Sequence, residues 1–436
     1  MSTSPPFGGR LLCAVKEAKM PPDPPSGWSS TQRKVVLACY LGWTLDAFDF
    51  FLMVFVLKDI AAEFHTEIGD VTIAIPLTLA MRPLGAFLFG RAADRYGRRP
   101  TLMVNVVLYS LLEFASGFAP SLTALIVLRA LYGIAMGGEW GVGASLAMET
   151  IPSRSRGFVS GLLQAGYPSG YLIASVVYAT LFPAIGWRGM FMIGILPALL
   201  VLYIRRAVPE SPSWQRTASS EGGTLTVLRS HWKLGLYAVL LMMAFNFYSH
   251  GTQDLYPTFL QVQHHLSPHV VGTIAVIYNV GAILGGMFFG VLSQRIGRRR
   301  AIVLAAVISL PIVPLWAFST TPIFLAIGAF LIQFMVQGAW GVIPVHLNEL
   351  SPEGARGTFP GFVYQLGNLL ASGNATMQAA IAVHYGNDYA LALMLVAVTV
   401  AIIIAAMTWF GVEAKDVTFG RGRLRAAGPP PEKRAA

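Results

Sequence analysis

The chain has 436 residues, of which 55% are hydrophobic and only 12% are charged, and its formal net charge is +10. A mean hydropathy of +0.59 excludes an ordinary soluble domain and indicates a polytopic membrane protein. Two cysteines, Cys13 and Cys39, are too few for a disulfide framework, and neither has metal-ligand spacing with a histidine. An excess of basic residues can reflect binding of nucleic acid or the orientation of a membrane protein. The positions of the basic residues decide between these two explanations.

Twelve apolar stretches have the length of a transmembrane helix, which needs about 20 residues. They lie at roughly 35–57, 68–89, 101–119, 122–148, 157–182, 187–206, 234–260, 270–292, 301–318, 322–348, 358–383 and 388–411. The Pro-rich start has no apolar core before a small-residue cleavage site, so the first helix is expected to act as an uncleaved insertion signal. The fold class predicted is an all-α polytopic membrane protein.

The basic residues follow a topological pattern. All but four of the 31 Lys and Arg residues fall on one side if the amino terminus is cytoplasmic. The exceptions are Lys58 and Arg188 outside, and Arg82 and Arg129 within helices. By the positive-inside rule, both termini are expected in the cytoplasm, in a bacterial cytoplasmic (inner) membrane. The lipid bilayer therefore accounts for the charge, and no nucleic acid is expected as a partner.

The chain repeats itself at a constant offset of 200 residues. The motif Gly90-Arg-Ala-Ala-Asp94-Arg95-Tyr-Gly97-Arg98-Arg99 recurs as Gly290-Val-Leu-Ser-Gln294-Arg295-Ile-Gly297-Arg298-Arg299, and Trp140, Glu149, Arg156 and Gly157 recur as Trp340, Glu349, Arg356 and Gly357. The repeat predicts two pseudo-symmetric six-helix bundles with the substrate site between them. The predicted parts are a disordered cytoplasmic leader (1–32), the amino-terminal half (33–206), a cytoplasmic linker (207–233), the carboxy-terminal half (234–411) and a disordered cytoplasmic tail (412–436).

One apolar stretch contains a polar stripe. Asn246, Ser249, His250, Gln253 and Asp254 are spaced so that they share one face of a helix. A hydrogen-bonded seam between helices needs only one or two such residues. Five polar residues, two of them titratable, instead favour a substrate and proton path that faces a water-filled cavity.

These motifs resemble a known family. The Gly-x-x-x-Asp-Arg-x-Gly-Arg-Arg turn at Gly90 and its copy at Gly290 resemble the signature loop of the major facilitator superfamily, as do Arg129-Ala-Leu-Tyr-Gly133 and Pro209-Glu-Ser-Pro212. More narrowly, Leu45-Asp46-Ala-Phe-Asp49-Phe-Phe and Met81-Arg82-Pro-Leu-Gly85-Ala resemble the sialate/lactate proton symporters. The stretch Asn246–Thr258 is similar to the Asn-x-x-Ser/Thr-His-x-Ser/Thr-Gln-Asp-x-x-x-Thr signature of the lactate and pyruvate permeases in that family. The resemblance implies proton-coupled uptake of short monocarboxylates.

Candidate substrate ligands combine a fixed cation with hydrogen-bonding groups. The guanidinium of Arg82 suits a carboxylate because it stays charged and offers two parallel hydrogen bonds, although an ion pair within its own half or snorkelling to the surface is an equal alternative. An Asp254 carboxylate one turn away favours a protonated, anion-binding His250. The predicted substrate-binding set is Arg82, Asn246, His250, Gln253, Gln337, Tyr364 and Gln365.

Candidate proton carriers and gate residues come from the remaining intramembrane and loop charges. The predicted proton-coupling set is Asp46, Asp254, Glu139 and Arg129, and an Asp46–Arg129 ion pair is expected to open on protonation. Asp49 has a weaker case, and Glu113 has no evident partner and is expected near the outer face. The repeated turns are expected to act as gates through Asp94, Arg95, Arg98, Arg295 and Arg298.

The function predicted is secondary active transport, by alternating access, of a small monocarboxylate together with a proton. Three alternatives stay open: a carrier of other organic anions such as dicarboxylates, aromatic acids or sialate, a proton-driven exporter, and a non-transporting nutrient sensor. No nucleophile–base set, phosphate loop or metal cage is evident, so neither an enzyme nor a cofactor is expected. No obligate protein partner is evident either.

Overall fold

The first helix begins where the sequence supplies a cap. In the computed structural model, which describes residues 27–217, 224–415, 417 and 419, Ser29 accepts a hydrogen bond from the Gln32 amide, and the Gln32 side chain accepts one from the Ser29 amide. This reciprocal capping box satisfies two amide groups that a helix start leaves unpaired. The helix therefore starts at Ser30, inside the range predicted as leader.

The described residues form helices and no strands, and twelve segments follow the predicted order. We number them one to twelve: Ser30–Phe55; Ala74–Tyr96; Arg98–Ser116; Leu122–Gly137 with Glu139–Thr150; Arg156–Gln164 with the first part of Gly166–Ile193; the last part of Gly166–Ile193 with Ala198–Ala207; Trp232–Gln253 with Tyr256–Val262; Pro268–Ile296; Arg298–Ser309 with Val313–Ala317; Pro322–Leu350; Phe359–Ala371 with Asn374–His384; and Tyr389–Phe410. Segments five and six divide at Gly186, whose φ of +61° breaks the helix.

Short helices complete the described chain. They are Leu57–Glu63 and Ile68–Thr72 after segment one, the 3₁₀ turn Ser153–Ser155 before segment five, Pro212–Thr217 and Thr224–Ser230 between the halves, and the 3₁₀ turn Leu310–Ile312 within segment nine. Eight helices in the described ranges are long and apolar enough to cross a membrane by length and composition. Of the other four segments, three and seven are less apolar because they carry Glu113 and the Asn246–Asp254 stripe, and six and eleven are divided into shorter helices.

The two halves repeat the same internal packing. Segment one packs on segment five and segment two on segment four, as segment seven packs on segment eleven and segment eight on segment ten. Between the halves, segment two contacts segment eleven, and segment five contacts segment eight. This arrangement confirms the predicted pair of pseudo-symmetric six-helix bundles.

The halves meet at the side that carries the repeated Arg-rich turns, which we call the basic side. Helix backbones touch there because small residues allow it: a methyl group at Gly90 would lie 2.6 Å from Thr358 Cα, and one at Gly157 would overlap the Gly290 carbonyl. The Ser145 hydroxyl donates to the Arg356 carbonyl across this contact at 2.7 Å. The basic side is therefore closed in this structure.

Candidate functional site: a polar cavity between the halves

A cavity of about 470 Å³ lies between the two bundles. Segments one, two and five line it from the amino-terminal half, and segments seven, eight, ten and eleven line it from the carboxy-terminal half. The His250 and Asp254 side chains facing it keep 34% and 38% of their exposure, although they lie within a membrane-spanning segment. Because the basic side is closed, the cavity opens toward the opposite side.

Arg82 brings a positive charge to the cavity wall. Its side chain is only 3% exposed, its guanidinium lies 5.2 Å from the Phe50 ring centroid, and its Nη2 donates to the Met136 sulfur. Its Nε has no hydrogen-bond partner, and no acidic group of the described residues lies within ion-pair distance. A buried cation without a counter-ion is costly, so this arrangement suits an anionic ligand better than the alternative of an ion pair within the same half.

The polar stripe of segment seven faces the cavity, as its spacing predicts. Asn246, Ser249, His250, Gln253 and Asp254 all line it, and His250 Nδ1 lies 3.2 Å from the Asp254 carboxylate. The stripe also meets segment ten: the Gln253 amide donates to Gln333 Oε1 at 2.7 Å, and the Gln337 amide donates to the Ser249 hydroxyl at 2.9 Å. These contacts hold the stripe in place while its remaining polar atoms face the cavity.

Aromatic side chains form much of the cavity wall. Tyr364 packs against Trp140 and Trp340, with ring centroids 4.6 and 5.6 Å apart, and so joins two tryptophans that are related by the sequence repeat. The aromatic residues lining the cavity are Trp43, Phe50, Phe51, Tyr167, Tyr171, Tyr278, Trp340 and Tyr364. Sequence reasoning selected only Tyr364 from this set, because aromatic residues on an apolar helix give no signal that separates a cavity wall from a core.

Other lining residues were also missed, and one selected residue does not reach the cavity. Gln164, Asn279 and Asn368 line it with the predicted set. Gln365 is 1% exposed, its Oε1 has no partner, and it is absent from the lining. The available signal was one amide on segment five and one on segment eight, and single amides are common between packed helices.

The expected Asp46–Arg129 pair is wrong for this conformation. Arg129 Nη1 lies 2.7 Å from Glu113 Oε2, with both side chains at most 1% exposed, and Nη2 donates to the Ser116 hydroxyl at 2.7 Å. Glu113, expected near the outer face without a partner, is thus the buried counter-ion of Arg129. A stack on the Tyr132 ring, 4.2 Å from the guanidinium, completes the surroundings of the cation.

Three further carboxyl groups are buried in the amino-terminal half. Asp46, Asp49 and Glu139 are 0–1% exposed, and none of their oxygens has a hydrogen-bond partner within the described part of the chain. They lie beside the cavity rather than in its lining, and the Glu139 carboxyl packs where a side chain at Gly42 would stand. Burying an unpaired carboxylate is costly, so packing alone does not explain why carboxyl groups occupy these positions.

The repeated turns join the halves through hydrogen bonds as well as charge. The Asp94 carboxylate accepts bonds from the Gly357 and Thr358 amides and from the Thr358 hydroxyl, at 2.7, 3.1 and 2.6 Å. In the second copy, Gln294 Oε1 accepts from the Gly157 amide at 3.2 Å. Both contacts cross between the halves, at the start of segments eleven and five respectively.

The arginines of these turns divide into two kinds. Arg98 pairs with Asp94 and Glu149 at 3.0 and 3.1 Å, and Arg298 pairs with Glu349 at 2.9 Å, each within its own half. Arg95 lies over the Tyr96 ring, and the Arg295 carbonyl accepts from Lys415, so within the described residues neither side chain forms an ion pair between the halves.

The ion pairs that cross the halves belong to residues that sequence analysis noticed only as parts of the repeat. Arg156 lies 3.6 Å from Glu349, and Arg356 lies 4.0 Å from Glu149. The sequence did contain a signal for these ion pairs, because Glu149 and Arg156 recur 200 residues later as Glu349 and Arg356, with both charges kept. Symmetric charges of both signs at a shared surface indicate a reciprocal contact.

Two bundles of six helices around a central polar cavity define a membrane transporter. The chain belongs to the major facilitator superfamily, whose family model matches residues 39–264 and 254–431. Among solved structures, the proton:xylose symporter XylE superposes with a TM-score of 0.74 at 18% identity, covering 90% of this chain and 98% of that one. The human organic anion transporter MFSD10 superposes with a TM-score of 0.68 at 16% identity, covering 88% and 99%.

Relatives in sequence include transporters named for organic acids. The sialic acid transporter NanX of Escherichia coli is 29% identical over 377 residues, which are 86% of this chain and 93% of NanX. A probable 4-methylmuconolactone transporter of Cupriavidus pinatubonensis is 30% identical, over 90% of this chain and 92% of that protein. A carboxylic acid transporter homologue of Saccharomyces cerevisiae is 29% identical over 79% of this chain, which spans only 61% of the yeast protein.

Proposed function

We propose that this transporter carries a small organic acid together with a proton, with short monocarboxylates such as lactate and pyruvate as its substrates. The observation that carries the proposal is the Arg82 guanidinium, which lines the cavity and has no acidic partner among the described residues. A substrate carboxylate would pair with this guanidinium through two charge-assisted hydrogen bonds. The relatives named for carboxylic acids, sialic acid and muconate support an acidic substrate.

Across the cavity from Arg82, His250 and Asp254 offer a second polar contact. A proton on this pair gives an imidazolium, which attracts the substrate anion, and the Asp254 carboxylate offsets part of the positive charge. Substrate and proton therefore favour each other's binding. Asn246 supplies a further hydrogen-bonding group, while Gln253 and Gln337 hold the stripe against segment ten. Asp46 and Glu139, buried without partners, are the proton carriers of the amino-terminal half.

The charge pattern supports an orientation in which the basic side faces the cytoplasm and both termini lie there, in a bacterial inner membrane. The present conformation is then outward-facing, since the basic side is closed. Transport follows when the halves close over substrate and proton on the outer side and separate at the basic side.

A bulkier conjugated acid is the second candidate, and the cavity favours it in one respect. A volume of about 470 Å³ lies within the range of sites that enclose drug-sized ligands, and aromatic rings line much of it. Flat rings stack on planar conjugated acids and add little to a three-carbon hydroxy acid. Lactate fills only part of such a space.

One experiment separates the candidates. Purified protein in proteoliposomes is supplied with labelled L-lactate, with and without an inward proton gradient, beside a His250→Ala variant. Gradient-driven accumulation that the variant loses supports proton-coupled lactate uptake. Competition by unlabelled benzoate, cis,cis-muconate and sialic acid is measured in the same vesicles. Absence of lactate uptake, with gradient-driven uptake of a competitor, would replace the monocarboxylate by that acid.

A further inference from the structure

Beyond segment twelve, which ends at Phe410, the chain runs along the basic side and is fixed first to its own half. The Glu413 carboxylate accepts hydrogen bonds from the Arg298 and Arg299 amides, at 3.3 and 3.1 Å. These amides open segment nine, so the carboxylate caps a 12-residue helix and meets its positive end. This segment lies in the range that the sequence predicts to be disordered.

A few residues later the chain reaches the other half. The Val417 carbonyl accepts from Arg156 Nη1 at 2.7 Å, and the Phe419 ring lies 3.7 Å from the Arg156 guanidinium carbon. The same ring lies 4.1 Å from the guanidinium carbon of Arg356 and is only 4% exposed. Since Arg156 begins segment five and Arg356 precedes segment eleven, one aromatic ring contacts both bundles.

The Phe419 ring stabilises the two arginine side chains that lie beside it. Arg156 and Arg356 also form ion pairs between the halves, with Glu349 and Glu149 respectively. Two guanidinium groups this close repel each other, and an aromatic face attracts both of them. The contact depends on the two arginines staying near one another, which holds only while the basic side is closed.

The first half of the repeat provides an internal comparison. Glu210 caps segment three as Glu413 caps segment nine, accepting from the Arg98 and Arg99 amides at 3.0 and 3.1 Å. The helix that follows it contacts the amino-terminal half, where the Trp214 indole donates to the Asp94 carbonyl at 2.8 Å. The second copy adds the contact of the Phe419 ring with Arg156 on the opposite bundle, and the cap by Glu413 does not itself require that contact.

We propose that Glu413, Val417 and Phe419 form a latch that holds the basic side closed. Glu413 anchors it to the carboxy-terminal half, and Phe419 binds Arg156 and Arg356 together. When the halves separate at the basic side, the ring loses at least one guanidinium, so the latch opposes opening. The latch sets the balance between the two conformations, whichever acid is carried.

The test measures how often the basic side opens in the full-length protein. In a background with Cys13→Ser and Cys39→Ala, a reporter Ser145→Cys occupies a position that is 0% exposed between the halves. Its alkylation rate rises when the basic side opens. Phe419→Ala is expected to raise that rate by roughly 30-fold, the size of a desolvated cation–π contact. Phe419→Tyr should keep the original rate.

Phe410→Ala serves as the matched control, because Phe410 is 86% exposed at the end of segment twelve. An unchanged alkylation rate in Phe419→Ala, or an equal rise in the Phe410→Ala control, would overturn the latch. Thermal unfolding of each variant identifies general destabilisation. If Phe419→Ala fails to fold, Glu413→Gln weakens the anchor instead; faster alkylation in that variant supports the latch, and an unchanged rate contradicts it.

Discussion

Arg82 and Arg129 lie in the same half of the molecule, and their surroundings differ in one respect. Arg129 has a carboxylate at 2.7 Å, whereas Arg82 contacts a sulfur and an aromatic ring and has no carboxylate of the described residues within ion-pair distance. A paired cation serves the fold, and an unpaired one beside a cavity is available to a ligand. The two arginines therefore predict different consequences when they are replaced.

Replacing Arg82 is expected to weaken substrate binding without unfolding the protein. Arg82→Lys keeps the charge but loses the planar pair of donors, and charge-assisted hydrogen bonds contribute about 1.5–3 kcal/mol, or roughly 10- to 100-fold in Kd. Arg82→Ala should abolish measurable binding. Titration calorimetry of the detergent-purified variants against the transported acid checks this. Arg91→Lys, an exposed replacement away from the cavity, is the control. Normal affinity in Arg82→Lys would place the carboxylate elsewhere.

Replacing Glu113 is expected to destabilise the fold instead. Glu113→Gln leaves Arg129 buried without its counter-ion, which costs about 3–5 kcal/mol. The thermal unfolding midpoint should fall, and the double variant Glu113→Gln with Arg129→Met should recover part of the loss because no charge is then stranded. Asp46→Asn, which removes a carboxyl group without a partner, should keep the midpoint while impairing proton-driven uptake. Equal destabilisation by Asp46→Asn would show that Asp46 also stabilises the fold.

At the scale of elements, the start of segment eleven depends on Asp94. Its carboxylate accepts from two backbone amides and one hydroxyl at that helix start, where the helix dipole also favours negative charge. The repeat-related Gln294 accepts from a single amide on segment five, so the contact between segments two and eleven is the stronger of the two.

We therefore expect Asp94→Asn to open the basic side more readily than Gln294→Ala does. An asparagine keeps one acceptor oxygen and loses the charge, so part of the three-bond contact is lost together with the ion pair to Arg98. Cysteine alkylation at Ser145→Cys compares the two variants directly. Equal rates would mean that the two turns contribute equally, contrary to the contacts observed.

The elements themselves were largely predictable, and so was one face of the site. Twelve apolar stretches, the 200-residue repeat and the polar spacing on segment seven gave the helices, the two bundles and the stripe from Asn246 to Asp254. Choosing the partner of Arg129 was not possible, because Asp46, Asp49 and Glu113 all lie on helices of the same half. Which carboxylate meets the guanidinium depends on how those helices rotate as they pack, and a single sequence does not contain that angle.

The aromatic wall was equally inaccessible from sequence. Tyr167 and Tyr171 are spaced one turn apart on segment five, as residues of a buried core also are, and only the position of the facing bundle turns them into cavity lining. The cross-half ion pairs were closer to prediction, since Glu149 and Arg356 recur with their partners. The signal for these ion pairs was that both charges recur in the second half. That recurrence predicts a contact only once the two repeats are known to face each other.

At the scale of the whole molecule, closure of the basic side keeps substrate from passing through. Movement of one bundle against the other must break contacts between them, such as the one between segments two and eleven. A methyl group built at Gly361 would lie 3.9 Å from the Ala86 Cβ, within the spacing of about 3.5–4.5 Å that a disulfide needs. It would also lie 3.0 Å from Gly141 Cα, so segment four must shift slightly to admit it.

An Ala86→Cys, Gly361→Cys double variant, made without the native cysteines, should therefore cross-link in this conformation. Oxidation is expected to stop uptake in proteoliposomes, because the bundles can no longer separate at the basic side, and dithiothreitol is expected to restore it. Substrate should still bind the oxidised protein in calorimetry, since the cavity opens on the other side. Ala86→Cys alone controls for the substitution. Full uptake by completely cross-linked protein would mean that segments two and eleven stay together throughout transport, and the opening would then have to occur elsewhere between the bundles.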